Sequence, residues 1–169
     1  NALRSCEFAF PRYAPDGGWY EGPGYWGYAM QYLSYLIATL ESGIGTDYDF
    51  KKNTGLSETM NFYLSVTGAN GKAFSYSDVS APASTNAEYG IWLGHVYSQP
   101  TWVKLRADIA KNGAVAQDLL YYYPEEYAAG ENVDLPLDSY FRNVEVATHR
   151  SSWTDDNMLW VGYKGAFSN

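Results

Sequence analysis

The sequence is poor in the residues that build disulfide scaffolds and metal sites. It has one cysteine, Cys6, and two histidines, His95 and His149. A lone cysteine cannot form a disulfide within the chain. One cysteine and two histidines are also too few to supply the four ligands of a structural zinc site. The acidic stretches TDDN and PEE lack the ligand spacing of a calcium loop. We therefore expect neither a disulfide scaffold nor a metal site from these residues, and the sequence calls for no cofactor.

Basic residues are also scarce, because 11 Lys and Arg stand against 19 Asp and Glu and give the chain a net charge of −8. Nucleic-acid binding and docking on an anionic membrane both need a basic surface, so neither partner is expected. An apolar run of about eighteen residues, the length of a transmembrane helix, is missing. The G-x-S-x-G motif that carries the serine of many catalytic triads is missing. A glycine-rich phosphate-binding loop is missing too, so the sequence does not predict a nucleotide site.

Aromatic residues, in contrast, are abundant and make up 18% of the chain, with six Trp, seventeen Tyr and seven Phe. Tyr and Trp join an apolar ring to a polar tip, so they suit surfaces that stack on sugars as well as cores. The stretch DGGWYEGPGYW, residues 16–26, concentrates glycines and large aromatics just before a predicted helix. A simple turn needs fewer glycines and fewer aromatic residues than this. The stretch therefore forms either the edge of a binding cleft or an unusual part of the core.

The helical pattern is clearest directly after this stretch. Pro23, with Gly22 as the cap, predicts a helix from about residue 24 to residue 42 that stops at Gly43. One predicted face carries Tyr25, Tyr28, Tyr32, Tyr35 and Thr39. Another carries Trp26, Met30, Leu33, Ile37 and Leu40. A helix that is apolar on two faces is expected to be enclosed by its neighbours.

The rest of the chain reads as further helices followed by strands. Helices are predicted over 56–67, over 86–97 with a Thr85/Glu88 capping box, from Pro100 to Gly113, and over 114–123 with Pro124 as the stop. Alternation, with Val144, Val146 and Thr148 on one side, predicts one strand within YFRNVEVATHRSSW, residues 140–153, and a second over 158–165. Helices first and strands last favour a mainly α chain of two packed units, a helical domain over 1–130 and a β domain over 131–169.

Two kinds of chemistry are open in the glycine-rich stretch. Asp16 and Glu21 flank Trp19 and would suit sugar hydrolysis by paired carboxylates, although Asp16 also fits a turn and Glu21 a helix start. Tyr25 falls in the first helical turn, whose unpaired N–H groups form a local anion site. A phenol with a pKa near 10 needs positive neighbours or a helix end to act as a base near neutral pH. Tyr25 is therefore either an acid/base or a core tyrosine.

The stretches YAPDGGWYEGPGYWGYAMQYL, YFRNVEVATHRSSW and MLWVGYKGAFSN, in this order, resemble the heparinase II/III-like polysaccharide lyases. The resemblance covers nearly the whole chain. It implies a partial (α/α) toroid of helical hairpins, followed by the first strands of an antiparallel β-sandwich. It also implies β-elimination on an anionic, uronic-acid-containing polysaccharide by a secreted or periplasmic bacterial enzyme.

The family's acid/base tyrosine matches Tyr25, with Tyr28 one turn away as the fallback. We expect Trp19, Glu21, Gly22, Gly24 and Trp26 to contact substrate, because the tryptophans stack on sugars and the glycines let a ligand approach the backbone.

The resemblance also places an Asn or His on helices before residue 1 and a His shortly after Asn169. The chain does not begin with Met, and we expect it to be a segment of a longer polypeptide that is inactive on its own. His149 does not match the family histidine and is expected to be a strand residue, and His95 is explained by a helix C-terminus. Two alternatives stay open: a toroid glycoside hydrolase that uses Glu21 or Asp16, and a non-catalytic carbohydrate-binding module.

Overall fold

The computed structural model describes residues 2–68, 71–79, 89–110, 115–130 and 135–165. About half of the structure is helical, and a small three-stranded antiparallel sheet follows the helices. The α-helices of these ranges are α1 (Ala2–Cys6), α2 (Gly22–Ile44), α3 (Thr59–Ser65), α4 (Tyr89–Val96), α5 (Pro100–Ala110), α6 (Ala116–Leu120) and α7 (Pro124–Ala129). The strands are β1 (Asp138–Phe141), β2 (Val146–Arg150) and β3 (Trp160–Lys164). The mainly helical class and the order of helices before strands are confirmed.

Helix α2 is the long helix that the sequence predicts, with different ends and a different environment. It ends at Gly45 rather than at Gly43, because Gly45 has φ 80° and its N–H donates to the carbonyls of Leu40 and Glu41. The face that carries Trp26, Met30, Ile37 and Leu40 is buried, as expected. The tyrosine face is not enclosed, and the expectation of two buried faces is wrong, because the polar phenol tips are compatible with water.

The shorter helices follow the predicted segments in part. A 3₁₀ turn (Leu56–Glu58) leads into α3, and α4 and α5 occupy the third and fourth predicted helices. Residues 80–88 and 111–114 lie outside the described ranges, and so do the predicted capping box and the stop at Gly113. The fifth predicted helix is the shorter α6, which ends at Leu120, before Pro124. Pro124 itself opens α7, a helix that the sequence analysis did not predict, at a position where a missing N–H costs nothing.

The sheet is a meander in the order β1-β2-β3, with Tyr140 opposite Ala147 and Thr148 opposite Gly162. The predicted inward side of β2 is confirmed, since Val146 and Thr148 are buried while His149 is exposed. Val144 is buried too, but it lies in the turn before β2. The single strand predicted within 140–153 is two strands, because a turn over 142–145 separates Tyr140 and Phe141 of β1 from β2. Strand β1 was not predicted as a strand of its own, because its sequence DSYF has no apolar alternation.

Helices and sheet share one hydrophobic core in the described structure. Phe141 of β1 contacts Phe62 of α3 edge-on, with ring centroids 5.1 Å apart. Val144 and Val146 belong to the same buried cluster as Trp26 and Met30 of α2. The boundary between residues 130 and 131 stays a prediction, because residues 131–134 lie outside the described ranges.

Arg150 ties the end of β2 to the end of α3. Its Nη2 donates to the carbonyl oxygens of Leu64, Ser65 and Thr67 at 2.9–3.1 Å. Its guanidinium carbon lies 3.5 Å from the centroid of the Trp153 ring. Burial lowers the pKa of Arg150 to about 10, so the group is still charged at neutral pH, where a cation at a helix C-terminus is favourable.

Replacing Arg150 by Met is expected to lower the free energy of unfolding by about 3 kcal/mol. The substitution keeps most of the apolar stem but removes three hydrogen bonds from a charged donor to the carbonyl oxygens of Leu64, Ser65 and Thr67. Urea unfolding of the two proteins measures the difference. Arg142→Met is the matched control, since Arg142 is exposed in the preceding turn, and a loss as large as that of Arg150→Met would contradict the capping role.

Candidate functional site

An open groove of about 460 Å³ lies between the N-terminal segment and the exposed face of α2. We call it the tyrosine groove. Helix α2 contributes six of its lining residues: Tyr25, Tyr28, Ala29, Tyr32, Leu33 and Leu36. The remaining lining residues precede α2: Cys6, Ala9, Phe10, Tyr13, Trp19 and Glu21. The lining is mostly aromatic and aliphatic, a composition that suits flat, partly apolar ligands such as sugar rings.

Tyr25 stands on the wall of the tyrosine groove and is 47% exposed. Its hydroxyl has no hydrogen-bond partner within the described ranges. The position is the first turn of α2, where the leading N–H groups have no acceptor inside the helix and Pro23 has no N–H at all. Gly24, directly before Tyr25, is exposed. Tyr25 is therefore accessible from solvent and lies at the positive end of a helix dipole.

Three tyrosines form a continuous series along the exposed face of α2. Tyr25 and Tyr28 meet edge to face with ring centroids 6.5 Å apart, and Tyr28 and Tyr32 do so at 5.0 Å. A hydrogen bond with Tyr28, followed by the electrostatic effect of the same residue, raises the pKa of Tyr32 above the ordinary phenol value. Tyr32 is thus less suited than an ordinary phenol to give up its proton, and its exposed ring is suited to stacking.

Glu21 supplies the charge in the described lining of the tyrosine groove. It occupies the N-cap position of α2, but its carboxylate makes no capping hydrogen bond. The carboxylate also has no other hydrogen-bond partner among the residues described. None of the lining residues is Lys, Arg or His. The part of the groove formed by described residues therefore offers a free carboxylate and no cation.

Trp19 forms a buried wall of the groove and is fixed on two sides. Its ring lies 4.8 Å from that of Tyr13, and its carbonyl accepts a 2.8 Å hydrogen bond from the hydroxyl of Tyr76. Burial raises the pKa of both Tyr13 and Tyr76, so both phenols stay protonated and neutral. The wall is rigid and uncharged as a result.

Asp16 holds the glycine-rich loop rather than facing the groove. Its two carboxylate oxygens accept backbone N–H groups, from Gly18 at 3.4 Å and from Arg142 at 2.7 Å. Asn143 donates from the same turn to the carbonyls of Arg12 and Gly18. The turn before β2 thereby anchors the loop, which agrees with the interpretation of Asp16 as a turn residue.

Close packing accounts for much of the glycine content of the loop. Gly17 has φ 81°, and a Cβ there would overlap the backbone of Thr59. Gly22 is buried against the carbonyl of Tyr76 and leaves a ligand no room. Trp26 is fully buried and stacks on Tyr63 at 4.4 Å. The structure therefore brings Trp19, Glu21 and Tyr25 together on the groove and places Gly22 and Trp26 in the core.

A buried hydrogen-bond chain joins this loop to α2. The indole N–H of Trp26 donates to Oγ1 of Thr59 at 2.7 Å, and Thr59 donates to the carbonyl of Gly17 at 2.8 Å. Thr59→Val keeps the side-chain shape but leaves both partners unpaired, and we expect it to cost about 2 kcal/mol. Thermal or urea unfolding tests this, with the exposed Thr39→Val as control. Equal effects of the two substitutions would contradict the buried chain.

Comparison with family models and with curated proteins finds no match for the chain. We therefore infer a function from the residues of the chain and their geometry.

The other residues singled out by the sequence lie elsewhere. His149 is exposed on β2, and its Nδ1 is 2.9 Å from Asp138 of the paired β1, as expected of a strand residue. None of the described helices is long and apolar enough to cross a membrane. Within the described ranges, no group of three or more His, Cys, Asp or Glu is placed to hold a metal ion. The sequence did not reveal that residues 6–13 form the opposite wall of the groove, because a short irregular segment has no periodicity to read.

Proposed function

We propose that this chain is part of a polysaccharide lyase that cleaves a uronic-acid-containing polymer by β-elimination, with Tyr25 as the acid/base. The observation that carries the proposal is the placement of Tyr25. Its free phenol stands at the first turn of α2, on the wall of an open aromatic groove. The resemblance to the heparinase II/III-like lyases, based on residues 13–33, 140–153 and 158–169, points to the same tyrosine.

The phenol accounts for both proton transfers of the reaction. As the phenolate, Tyr25 takes the C5 proton of the uronate, and the electron pair forms the C4–C5 double bond while the C4–O bond breaks. The phenol then protonates the departing glycosidic oxygen, which leaves an unsaturated uronate and a new hydroxyl end. Proximity of one group to both atoms is the catalytic advantage of this arrangement.

A second requirement is neutralisation of the uronate carboxylate, since its negative charge makes the C5 proton too weakly acidic. The described lining of the tyrosine groove has Glu21 and no cation. The neutralising groups must therefore come from outside this lining. The Asn or His before residue 1 and the His after Asn169, which the resemblance implies, have this role in the proposal, and the chain alone is inactive.

The same proposal extends to architecture and location. Helices α2 to α7 are part of an incomplete (α/α) toroid, and the meander β1-β2-β3 begins an antiparallel β-sandwich. Close packing of α4 on α5 is consistent with a hairpin of such a toroid, since Gly90 and Gly94 of α4 bring its backbone against Arg106 and Val103. The enzyme is secreted or periplasmic in a bacterium, where an anionic polymer is accessible.

The test is a product assay with the longer polypeptide on a panel of uronate polymers. The proposal predicts ultraviolet absorbance from the conjugated double bond at the new chain end, together with loss of polymer length. The 169-residue chain alone, assayed in parallel, should give no such absorbance. Depolymerisation without the absorbance would contradict the lyase and favour hydrolysis.

A non-catalytic carbohydrate-binding role is the second candidate. The series Tyr25, Tyr28 and Tyr32, in a groove whose described lining contains no cation, favours stacking on sugars without chemistry. Binding of oligosaccharide by a longer polypeptide that never produces new chain ends would favour this role. A hydrolase is less well supported, because both oxygens of Asp16 are engaged by backbone N–H groups and Glu21 would need a carboxylate from elsewhere.

A further inference from the structure

A second cavity, of about 550 Å³, opens on the other side of α2. It is lined by the C-terminal part of α2, the 3₁₀ turn Phe50–Lys52, α4 and the segment between α6 and α7, and we call it the α2–α4 pocket. Glu41 of this pocket and Tyr25 of the tyrosine groove are separated by about 160° around the helix, at about 100° per residue. The two cavities therefore lie on opposite faces of the same helix.

The α2–α4 pocket contains an imidazole held by a carboxylate. Nδ1 of His95 is 2.7 Å from Oε1 of Glu126, and the His95 ring stacks on Tyr123 at 4.0 Å with an interplanar angle of 14°. A carboxylate can only accept a hydrogen bond, so Nδ1 carries the proton. In the neutral ring, Nε2 is then an acceptor in a fixed orientation. The dipole of α4 explains a histidine at this position but not its pairing and stacking.

Oppositely charged and hydroxyl groups complete the lining. Lys51 forms an ion pair with Glu41, and both side chains are about one-third exposed. Ser42 donates its hydroxyl to the carbonyl of Thr39 at 3.3 Å, so its oxygen is still able to accept. Tyr121 contributes a further phenol. Because Lys51 and Glu41 neutralise each other, this pair gives the pocket no net charge that would select a charged ligand. The pair and the hydroxyls still offer hydrogen-bond donors and acceptors.

We infer that the α2–α4 pocket binds a neutral sugar unit. A pyranose has hydroxyls that both donate and accept, and an apolar face that packs on aromatic rings. The pocket offers the matching groups in Glu41, Lys51 and His95, beside Tyr121 and Tyr123. Its volume is within the range of sites for small ligands. This site is separate from the tyrosine groove, and neither depends on the other.

The test is an NMR titration of the 169-residue chain with methyl glycosides and disaccharides of glucose, galactose and mannose. We expect saturable shifts at Trp92 and His95, the two rings of α4 that line the pocket, with at least one sugar. Glu41→Gln and His95→Gln should each weaken binding about tenfold, because the first removes the charge of an acceptor and the second removes the fixed imidazole acceptor. Glu125→Gln is the matched control, since Glu125 is exposed on α7 next to Glu126.

The wild-type shifts locate the sugar even where a variant fails to fold. Shifts confined to Tyr25, Tyr28 and Tyr32 would overturn the inference, and so would affinities unchanged in both variants. Absence of a saturable shift at the highest soluble concentration of every sugar would overturn it as well. The lyase test uses variants of the tyrosine groove and uronate polymers, whereas this test uses variants of the α2–α4 pocket and neutral sugars. Either hypothesis can therefore fail while the other holds.

Discussion

Tyr25→Phe is expected to lower the rate of uronate cleavage by the longer polypeptide roughly 10²- to 10⁴-fold, the usual contribution of a general acid/base. The substitution removes only the hydroxyl, which has no partner within the described structure, so folding and the aromatic wall of the groove should be preserved. The loss should appear in kcat, with KM little changed, because stacking of the ring on the substrate is retained. Initial rates of ultraviolet absorbance against polymer concentration measure both.

Tyr48→Phe is the matched control for this experiment. Tyr48 is 48% exposed, close to the exposure of Tyr25, but it does not line the groove. A wild-type rate in Tyr25→Phe would remove Tyr25 from the acid/base role. If Tyr28→Phe loses the activity instead, the role belongs one turn further along α2.

Asp118→Ala is expected to lower the free energy of unfolding by roughly 3–5 kcal/mol, the cost of leaving a buried charge unpaired. Oδ2 of Asp118 lies 2.9 Å from Nη2 of Arg106 and accepts the N–H of Val115, also at 2.9 Å. The two side chains are 5% and 2% exposed. The pair joins α5 to α6, and without it the guanidinium is left in the core. Urea unfolding of the two proteins measures the loss.

A double substitution separates the cost of an unpaired charge from the value of the pair. Arg106→Met together with Asp118→Leu replaces both charges by apolar groups, and we expect it to recover most of the stability that Asp118→Ala loses. Lys52→Ala is the control for an exposed pair with Asp49, and no measurable change is expected there. A double variant as unstable as Asp118→Ala would contradict this account.

The sequence was informative where one helix or strand alone determines the pattern. The buried face of α2 and the inward side of β2 follow from spacing alone, since Trp26, Met30 and Val146 lie where periodicity puts them. Contacts between segments distant in the chain were not predictable. The turn at Asn143 anchors the loop at Gly18, and nothing local to either segment indicates that pairing. Strand β1 likewise depends on its partner β2 rather than on its own residues.

The candidate site was predictable in part for the same reason. Tyr25, Trp19 and Glu21 lie together because they are close in sequence around the start of α2. Trp26 and Gly22 belong to the same stretch but face the core. Helical spacing places Trp26 on the buried face of α2, whereas the burial of Gly22 against the carbonyl of Tyr76 is a contact between distant segments that the sequence does not reveal. His95 was explained by its own helix, and its contact with Glu126 was missed because Pro124 was interpreted as a stop.

The central claim is that the phenol of Tyr25 faces a groove where an oligosaccharide of the uronate polymer binds. NMR of the longer polypeptide with isotope-labelled tyrosine rings, titrated with such an oligosaccharide at millimolar concentration, tests it most directly. The ring signals of Tyr25, Tyr28 and Tyr32 should shift together and saturate, while those of Tyr48 and Tyr163 stay in place. Unmoved signals of Tyr25 while rings outside the tyrosine groove respond to the same titration would contradict the account.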